Sequence, residues 1–466
     1  MPDRATAVNR RGFLATTAAL AAGCARSLQS RETRRPNILL VHTDDQAQWA
    51  MGAYGNADIH TPHMDRVARE GALFERAFVS TPVCSPARAT LMTGLDSIQH
   101  GITDWIHPRE TLGLDAKFTT FPELLKAAGY RLGYVGKWHI GKEPKYHPRT
   151  RGFDHFMGFL EGGNRPKDPT LEIDGKTAKR PGWLVDLLTD AALNYIEANK
   201  AGPFFCMVSY RVPHAAYTPV QPQDAAHYQG KTLKLFPGSE VNPKRVERLL
   251  AAYYACCSAA DRNLGRLLAK LDDLGIAENT LVIFTGDNGY MVGHHGLHSK
   301  GNAHRLGPPG GCRPNMFDPS VLVPLAIRWP AVVKPGTRIP QMVGQIDFFA
   351  TLCDVAGVPA SQRPKTESAS FLPLLQGRTI PWRDAFFGSY EQYQYKPKAS
   401  LRMVRTNDWK LVCNLAPGGT DELYHLATDA GETKNLIDDP QAQEVRRRLA
   451  QRLAVWQREL NDRVLR

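Results

Sequence analysis

Three apolar runs in this chain each end in a cluster of polar groups. Asn37 to Thr43 reads NILLVHT and runs into Asp44-Asp45, Phe204 to Tyr210 reads FFCMVSY and runs into Pro213-His214, and Leu281 to Thr285 reads LVIFT and runs into Gly286-Asp287-Asn288. Apolar runs without polar alternation suit strands buried on both faces, which means parallel strands covered by helices. Helical periods lie between them, over 63–71, 120–128, 183–199 and 246–274. Strands alternating with helices predict an α/β fold with a large central, mostly parallel mixed sheet flanked by helices. Ligands of such sheets gather at the carboxyl ends of the strands, where all three polar clusters fall.

After Phe371-Leu-Pro-Leu-Leu the grammar changes to shorter β-like segments, SLRMVRT, DWKLVCN and DELYHL, and then a charged helix over 440–460. Val445, Leu449, Leu453 and Trp456 recur there at helical spacing, a packing face. These features predict a smaller C-terminal α+β domain over 370–466 behind a main domain over 36–369, and 466 residues suffice for two domains. Within the main domain, the Gly/Pro-rich stretch from Gly301 to Asn315 reads as a long loop carrying His304, Arg305 and Arg313, candidates for substrate contacts.

Residues 1–35 read as an export leader and linker. Arg10-Arg11 precede Gly-Phe-Leu and a short apolar run with a small-residue end, and that run is far below the ~20 residues of a membrane span. The pattern resembles a twin-arginine signal, which implies a folded protein handed to the twin-arginine machinery and a periplasmic or secreted destination, with no transmembrane span. Leu20 to Cys24 also resembles a lipoprotein box with Ala21 where leucine is usual, so Cys24 is a secondary candidate for lipid attachment.

The net charge is +12, but residues 1–35 hold seven arginines against Asp3 and Glu32, so five of those charges belong to the leader. No lysine and arginine stripe interleaves with aromatics, and no nucleic-acid partner is expected. Of the eight cysteines, none shows zinc-ligand spacing, and a disulfide-stapled small scaffold is excluded by length. Cys206 and the Cys256-Cys257 pair sit in apolar runs, as buried thiols do. Cys84 differs, lying among turn formers in TPVCSPARATLMTG at a helix start.

Two adjacent carboxylates, Asp44 and Asp45, each raise the cost of ionising the other, and a bound cation relieves that cost. Asp287-Asn288 offers a second acid-plus-amide pair at another strand end, and an all-oxygen donor set prefers calcium. In GYVGKWHIGK, Lys137 and His139 are two apart in an extended segment and share a face. His214, and Lys300 in HGLHSKG, add an imidazole and an ammonium after further strands.

In this order, these residues resemble the formylglycine-dependent sulfatases of the alkaline-phosphatase-like superfamily. The most specific element is Cys84-Ser85-Pro86-Ala87-Arg88, matching the CxPxR signal, with PNILLVHTDDQ, HTPHMDRVAREG, GYVGKWHIG, TGDNG, HGLHSKG, VLVPLAIRWP and ELYHLATDAGETKNL in support. The resemblance runs from Arg35 to about Leu436 and implies that a separate formylglycine-generating enzyme oxidises Cys84 to an aldehyde. The hydrated aldehyde has two hydroxyls: one attacks sulfur, and deprotonating the other expels sulfate and restores the aldehyde.

By the same resemblance, Asp44, Asp45, Asp287 and Asn288 hold Ca2+ together with modified Cys84, Arg88 fixes the formylglycine, and Lys137 and Lys300 clamp sulfate oxygens. His214 is the candidate acid for the leaving alcohol, and His139 assists the nucleophile or the elimination. Two departures stand out: Gly286 where relatives often have serine, and no proline two residues after His214. The expected activity is hydrolysis of a sulfate ester, on a sulfated carbohydrate. The alternatives are a phosphonate monoester or phosphodiester hydrolase of the same fold, which shares CxPxR, and a noncatalytic sulfated-glycan binding protein.

Overall fold

A computed structural model describes residues 35–465; the leader, its twin arginines and Cys24 lie outside them. The first apolar run forms β1 (Asn37–Asp44). It is followed by β2 (Ala72–Phe78), β3 (Arg131–Lys137), β4 (His155–Phe159), β5 (Thr170–Ile173), β6 (Lys176–Lys179), β7 (Phe204–Pro213) and β8 (Thr280–Gly286). Four short strands come next, β9 (Met291–Val292), β10 (Leu297–Ser299), β11 (Asn302–Arg305) and β12 (Cys312–Pro314), then β13 (Leu325–Arg328) and β14 (Thr337–Gly344). The ten-stranded sheet has the order β14-β2-β13-β8-β1-β7-β3-β4-β5-β6. Its five central strands, β8, β1, β7, β3 and β4, run parallel. Antiparallel β13 on one side, and β5 and β6 on the other, make the sheet mixed.

Alternate residues of β1 point to opposite faces, and both faces are dry. Ile38 and Leu40 pack among Leu91, Leu125 and Leu352 of the helices Cys84–Thr93, Phe121–Ala127 and Phe348–Val355. Leu39 and Val41 pack among Leu188, Leu264 and Leu268 of the helices Leu184–Asn199 and Pro243–Asp273. All four β1 side chains are fully buried, each contributing about 1.5–3 kcal/mol. Among the described residues no helix is long and apolar enough to cross a membrane.

The C-terminal region forms a four-stranded antiparallel sheet, β15 (Ala385–Gln392), β16 (Ala399–Thr406), β17 (Trp409–Asn414) and β18 (Glu422–His425). The helix Gln443–Glu459 packs there through Leu449, Leu453 and Trp456.

The segment from Gly301 to Asn315 differs from its expectation as a loop. It folds as a hairpin of β11 and β12, part of a second antiparallel sheet of order β12-β11-β10-β9. Gly310 and Gly311, at φ 74° and 83°, make the left-handed turn that lets the chain double back.

Candidate active site

The carboxyl ends of β1, β3, β7 and β8 converge on the first turn of the helix that begins at Cys84. Cys84 and Arg88 both lie on that helix, and every residue from Cys84 to Thr93 is buried. β1 delivers Asp44 and then Asp45, which takes φ 68°, a left-handed conformation costing a non-glycine residue about 1–3 kcal/mol. Two hydrogen bonds hold that turn: the Asp45 N–H donates to Asp287 Oδ1 at 2.9 Å, and the Tyr253 hydroxyl donates to the Asp45 carbonyl at 2.8 Å.

Three acids and three bases interlock here. Lys137 Nζ donates to Asp44 Oδ2 at 2.7 Å. Arg88 meets Asp287 Oδ2 through Nε at 2.9 Å, and its Nη1 reaches both the Lys137 carbonyl at 2.9 Å and Ser209 Oγ at 2.7 Å. Lys300 Nζ pairs with Asp45 Oδ1 and lies 2.7 Å from Cys84 Sγ. Burial alone would keep Asp44 protonated, yet Lys137 and then His214 outweigh it and hold the carboxyl below its usual range. Burial likewise works against the Lys300 ammonium, but Asp45 and Cys84 overcome it and hold the pKa well above the usual value. The Cys84 thiol is pushed up to about 12 by burial, against the pull of Lys137 and Lys300. As a thiol it is no nucleophile at neutral pH.

Two buried oxygens in this cluster, Asp44 Oδ1 and Asn288 Oδ1, have no hydrogen-bond partner among the described residues, although Arg88 Nη2 lies 3.8 Å from the former. Asn288 spends its amide nitrogen on Asp45 Oδ1 at 2.8 Å and on the Gly289 carbonyl. Ligand atoms of Asp44, Asp45 and Asp287 lie within 4.8 Å of one another, as do those of Asp44, Cys84 and His214. Orphaned buried oxygens are costly, and an oxygen-rich cluster containing two of them fits a hard cation such as Ca2+.

The two histidines differ in surroundings. His139, at φ 59°, is buried with Nε2 3.0 Å from the Ile106 carbonyl. Because a carbonyl only accepts, Nε2 carries the proton, and Nδ1 is left without a partner. Burial, then Lys137, pushes its pKa well down. His214 lies against its neighbour's carbonyl through Nδ1, with Nε2 3.8 Å from Asp45 Oδ2 and the side chain 28% exposed. Its pKa is lowered by burial, with Asp44 and Asp45 pulling the other way.

Asp45, Cys84, His139, His214 and Lys300 open onto one cleft of about 440 Å3. A larger cavity of about 1030 Å3 lies elsewhere, against Arg131 and His155 at the amino ends of β3 and β4, the wrong end of the sheet for this chemistry. Of the three loop candidates, His304 lines the cleft. Arg313 is instead committed to Glu422 at 2.8 Å and to the face of Phe317, and Arg305 is exposed. Residues the sequence did not single out also join: Ser209 and Tyr253 brace the charged cluster, while Trp105, Glu161, Tyr290 and Tyr395 line the cleft. None carries a local signal, since each belongs to an ordinary strand, helix or loop and meets the others only through the fold.

A sulfatase family model matches residues 36–358, and the model for the C-terminal region of N-sulphoglucosamine sulphohydrolase matches 313–459. The chain is 28% identical, over an alignment of 537 residues, to an N-acetylglucosamine-6-O-sulfatase of Bacteroides thetaiotaomicron, covering 97% of this chain and 91% of that one. It is 31% identical over 365 residues to the Homo sapiens N-acetylgalactosamine-6-sulfatase, covering 74% of this chain and 67% of that one. A solved structure in complex with its substrate, D-glucosamine-2-N,6-O-disulfate, superposes with a TM-score of 0.81 at 25% identity, covering 92% of this chain and 99% of that one. The phosphonate monoester hydrolase of Agrobacterium radiobacter shares the fold, with a TM-score of 0.74 at 23% identity and coverage of 91% and 96%. With a family model spanning most of the described residues and both charged strand ends inside it, this chain belongs to the sulfatase family and is a sulfuric ester hydrolase.

Proposed function

We propose that this protein removes sulfate from a sulfated carbohydrate, using formylglycine made from Cys84 and a calcium ion held by Asp44, Asp45, Asp287, Asn288 and the modified Cys84. The observation that carries this reading is the pair of orphaned oxygens in a charge-balanced cluster beside Cys84. Asp44, Asp45 and Asp287 cancel Arg88, Lys137 and Lys300, so a divalent cation leaves the site doubly positive, complementary to a sulfate ester anion. When bound, the ion supplies Lewis-acid activation of the attacking oxygen.

The chain's own groups then divide the work. Arg88, locked to Asp287, fixes the modified side chain on its helix. Lys300, already 2.7 Å from Cys84 Sγ, and Lys137 pair with sulfate oxygens as negative charge builds on them. His214, on the accessible side of the cluster, is the acid for the departing alcohol in its doubly protonated form, which Asp44 and Asp45 favour: Nδ1–H stays on the Ala215 carbonyl and Nε2–H is the proton given up. His139 Nδ1, without a partner among the described residues, would accept the proton that a formylglycine hydroxyl gives up in the attack or in the later elimination. In this reading residues 36–369 carry the chemistry, residues 370–466 complete the cleft, and a formylglycine-generating enzyme acts on Cys84 before export of the folded protein by the twin-arginine machinery to the periplasm or beyond.

The glycan assignment leans on the relatives named for N-acetylglucosamine-6-O-sulfate and N-acetylgalactosamine-6-sulfate chemistry. The test is kinetics on a panel of sulfated monosaccharides and oligosaccharides beside a phosphodiester and a phosphonate monoester. Protein co-produced with a formylglycine-generating enzyme is used, with Cys84→Ala as control. Sulfate release from a sugar with the highest kcat/KM is expected. Faster turnover of the phosphorus esters overturns the reading in favour of the hydrolase that shares the fold.

A further inference from the structure

One rim of the cleft is a row of rings drawn from three distant parts of the chain. The His107 and Trp105 centroids are 5.2 Å apart. Trp105 and Tyr395 stack at 5.9 Å with 29° between their planes, and Tyr395 meets His304 edge-on at 5.5 Å. Trp105, Tyr395 and His304 line the same cleft as Cys84 and Lys300, and none is engaged by the charged cluster. Trp105 and Tyr395 are half-buried and His304 is exposed, so apolar ring surface is left for a ligand. An aromatic wall beside an anion pocket fits a ligand with a flat apolar face joined to a charged group, and a sulfated sugar ring is such a ligand.

Tyr395 belongs to the link between β15 and β16, which has no regular structure of its own to hold it. A buried carboxylate is central to the hold, beside Gln394 Nε2 on the Trp105 carbonyl at 3.4 Å and Gln392 Nε2 on the Pro397 carbonyl at 2.6 Å. Asp104 Oδ2 accepts from the backbone N–H of Tyr393 and of Gln394, both at 3.0 Å. Its Oδ1 accepts from the Trp105 N–H at 2.8 Å and the Tyr390 hydroxyl at 3.3 Å. Gln394 Nε2 adds a bond to Glu110 Oε2 at 2.9 Å. One side chain thus fixes the backbone of both ring-bearing segments, across the boundary between the main sheet's loops and the C-terminal region.

We infer that Trp105 and Tyr395 form a sugar-stacking wall that sets specificity for the leaving group, and that Asp104 is the positioning residue that holds the two rings in register. The inference rests on the sulfatase reading and names the part of the cleft that recognises the alcohol rather than the sulfate.

The test uses the sulfated monosaccharide that the wild type hydrolyses best, with inorganic sulfate as a competitive probe of the anion pocket alone. Tyr395→Ala and Trp105→Ala are expected to raise KM about tenfold, more than they lower kcat, and to leave the sulfate inhibition constant unchanged. Tyr395→Phe keeps the ring and is expected to keep the wild-type KM. Asp104→Asn is expected to raise KM as Tyr395→Ala does, and the double variant to be no worse than either single one, because the residue acts through the ring. An unchanged KM in both ring variants overturns the wall, and additive effects of Asp104→Asn and Tyr395→Ala overturn the positioning role. If Asp104→Asn does not fold, the Tyr395→Phe and Tyr395→Ala pair decides the wall, and Tyr390→Phe, which removes one of the Asp104 donors, decides the latch: a raised KM supports it and an unchanged KM overturns it. A wild type that releases sulfate from no sugar overturns the parent reading itself, an outcome read before any variant is made.

Discussion

Two of the buried charge clusters among the described residues are finished differently. Where the C-terminal sheet meets the main domain, Lys410 on β17 donates to Asp318, to Glu432 Oε1 at 2.6 Å and to the Met316 carbonyl at 3.1 Å. Arg405 reaches Asp318 Oδ2 at 3.0 Å, and the Asp318 N–H reaches Glu432 Oε2 at 2.6 Å. All four carboxylate oxygens there have donors, and the charges balance. In the cluster beside Cys84 the charges balance as well, yet Asp44 Oδ1 and Asn288 Oδ1 have no hydrogen-bond donor among the described residues. A cluster whose acceptor oxygens are all filled, with only Arg405 Nε left over, joins two parts of a fold, whereas one with bare oxygens waits for a ligand.

The contrast can be broken from either side. The largest effect is expected from Cys84→Ala, which should lower kcat by on the order of 10^4-fold or more, since under the proposed mechanism it removes the nucleophile's precursor. Its melting temperature should stay near that of the wild type, because among the described residues the thiol's one hydrogen-bond partner is Lys300. Sulfate-release assays and a heat-unfolding scan check both halves. Next comes Asp287→Asn, which leaves the buried Arg88 without its main counter-charge and should cost about 3–5 kcal/mol as well as activity, read by denaturant unfolding.

Lys410→Met should destabilise by a similar amount while sparing kcat in whatever fraction stays folded, because it strips Glu432 of its cation and leaves Asp318 only Arg405, and none of these residues lines the cleft. Adding Glu432→Gln should recover part of the loss, a coupling that a double-mutant cycle measures. A smaller effect is expected from Gly286→Ser, which restores the residue that relatives often carry. A Cβ at Gly286 would lie 2.5 Å from the Gln46 carbonyl oxygen, so the backbone must shift, at a cost of about 1–3 kcal/mol in unfolding free energy. The smallest is Arg305→Ala on the exposed hairpin, which should fall within about 0.5 kcal/mol of wild type.

Much of the saturated architecture and the charged pole was legible in the chain, for one physical reason. Strands buried on both faces must be apolar throughout, so β1, β7 and β8 stand out as unbroken runs, and the polar residues that follow them fall at the site. β6 gave no such signal, because all four of its residues are exposed on a sheet margin. β11 and β12 were hidden by the glycines and prolines of their own turn, so Gly301 to Asn315 read as a loop. Trp105, Glu161 and Tyr395 could not be found at all from local pattern. Each is an ordinary loop residue until the main sheet and the C-terminal sheet bring them to one cleft.

The lysines show the limit from the other side. Lys137 and Lys300 could be singled out by the company they keep in sequence, but not their partners: each takes one aspartate, Asp44 and Asp45 respectively, and leaves other oxygens of the cluster open. That division of acceptors is a property of the folded site alone.

Calcium dependence, measured on one preparation as both sulfate release and heat unfolding, tests the central claim most directly. Chelation is expected to abolish sulfate release and lower the melting temperature by about 2–5 °C, with Ca2+ restoring both. Asp44→Asn should show neither response. Sulfate release that persists in chelator-treated wild-type protein, with a melting temperature that added Ca2+ does not raise, would contradict the account, because the bare oxygens beside Cys84 would then hold no cation.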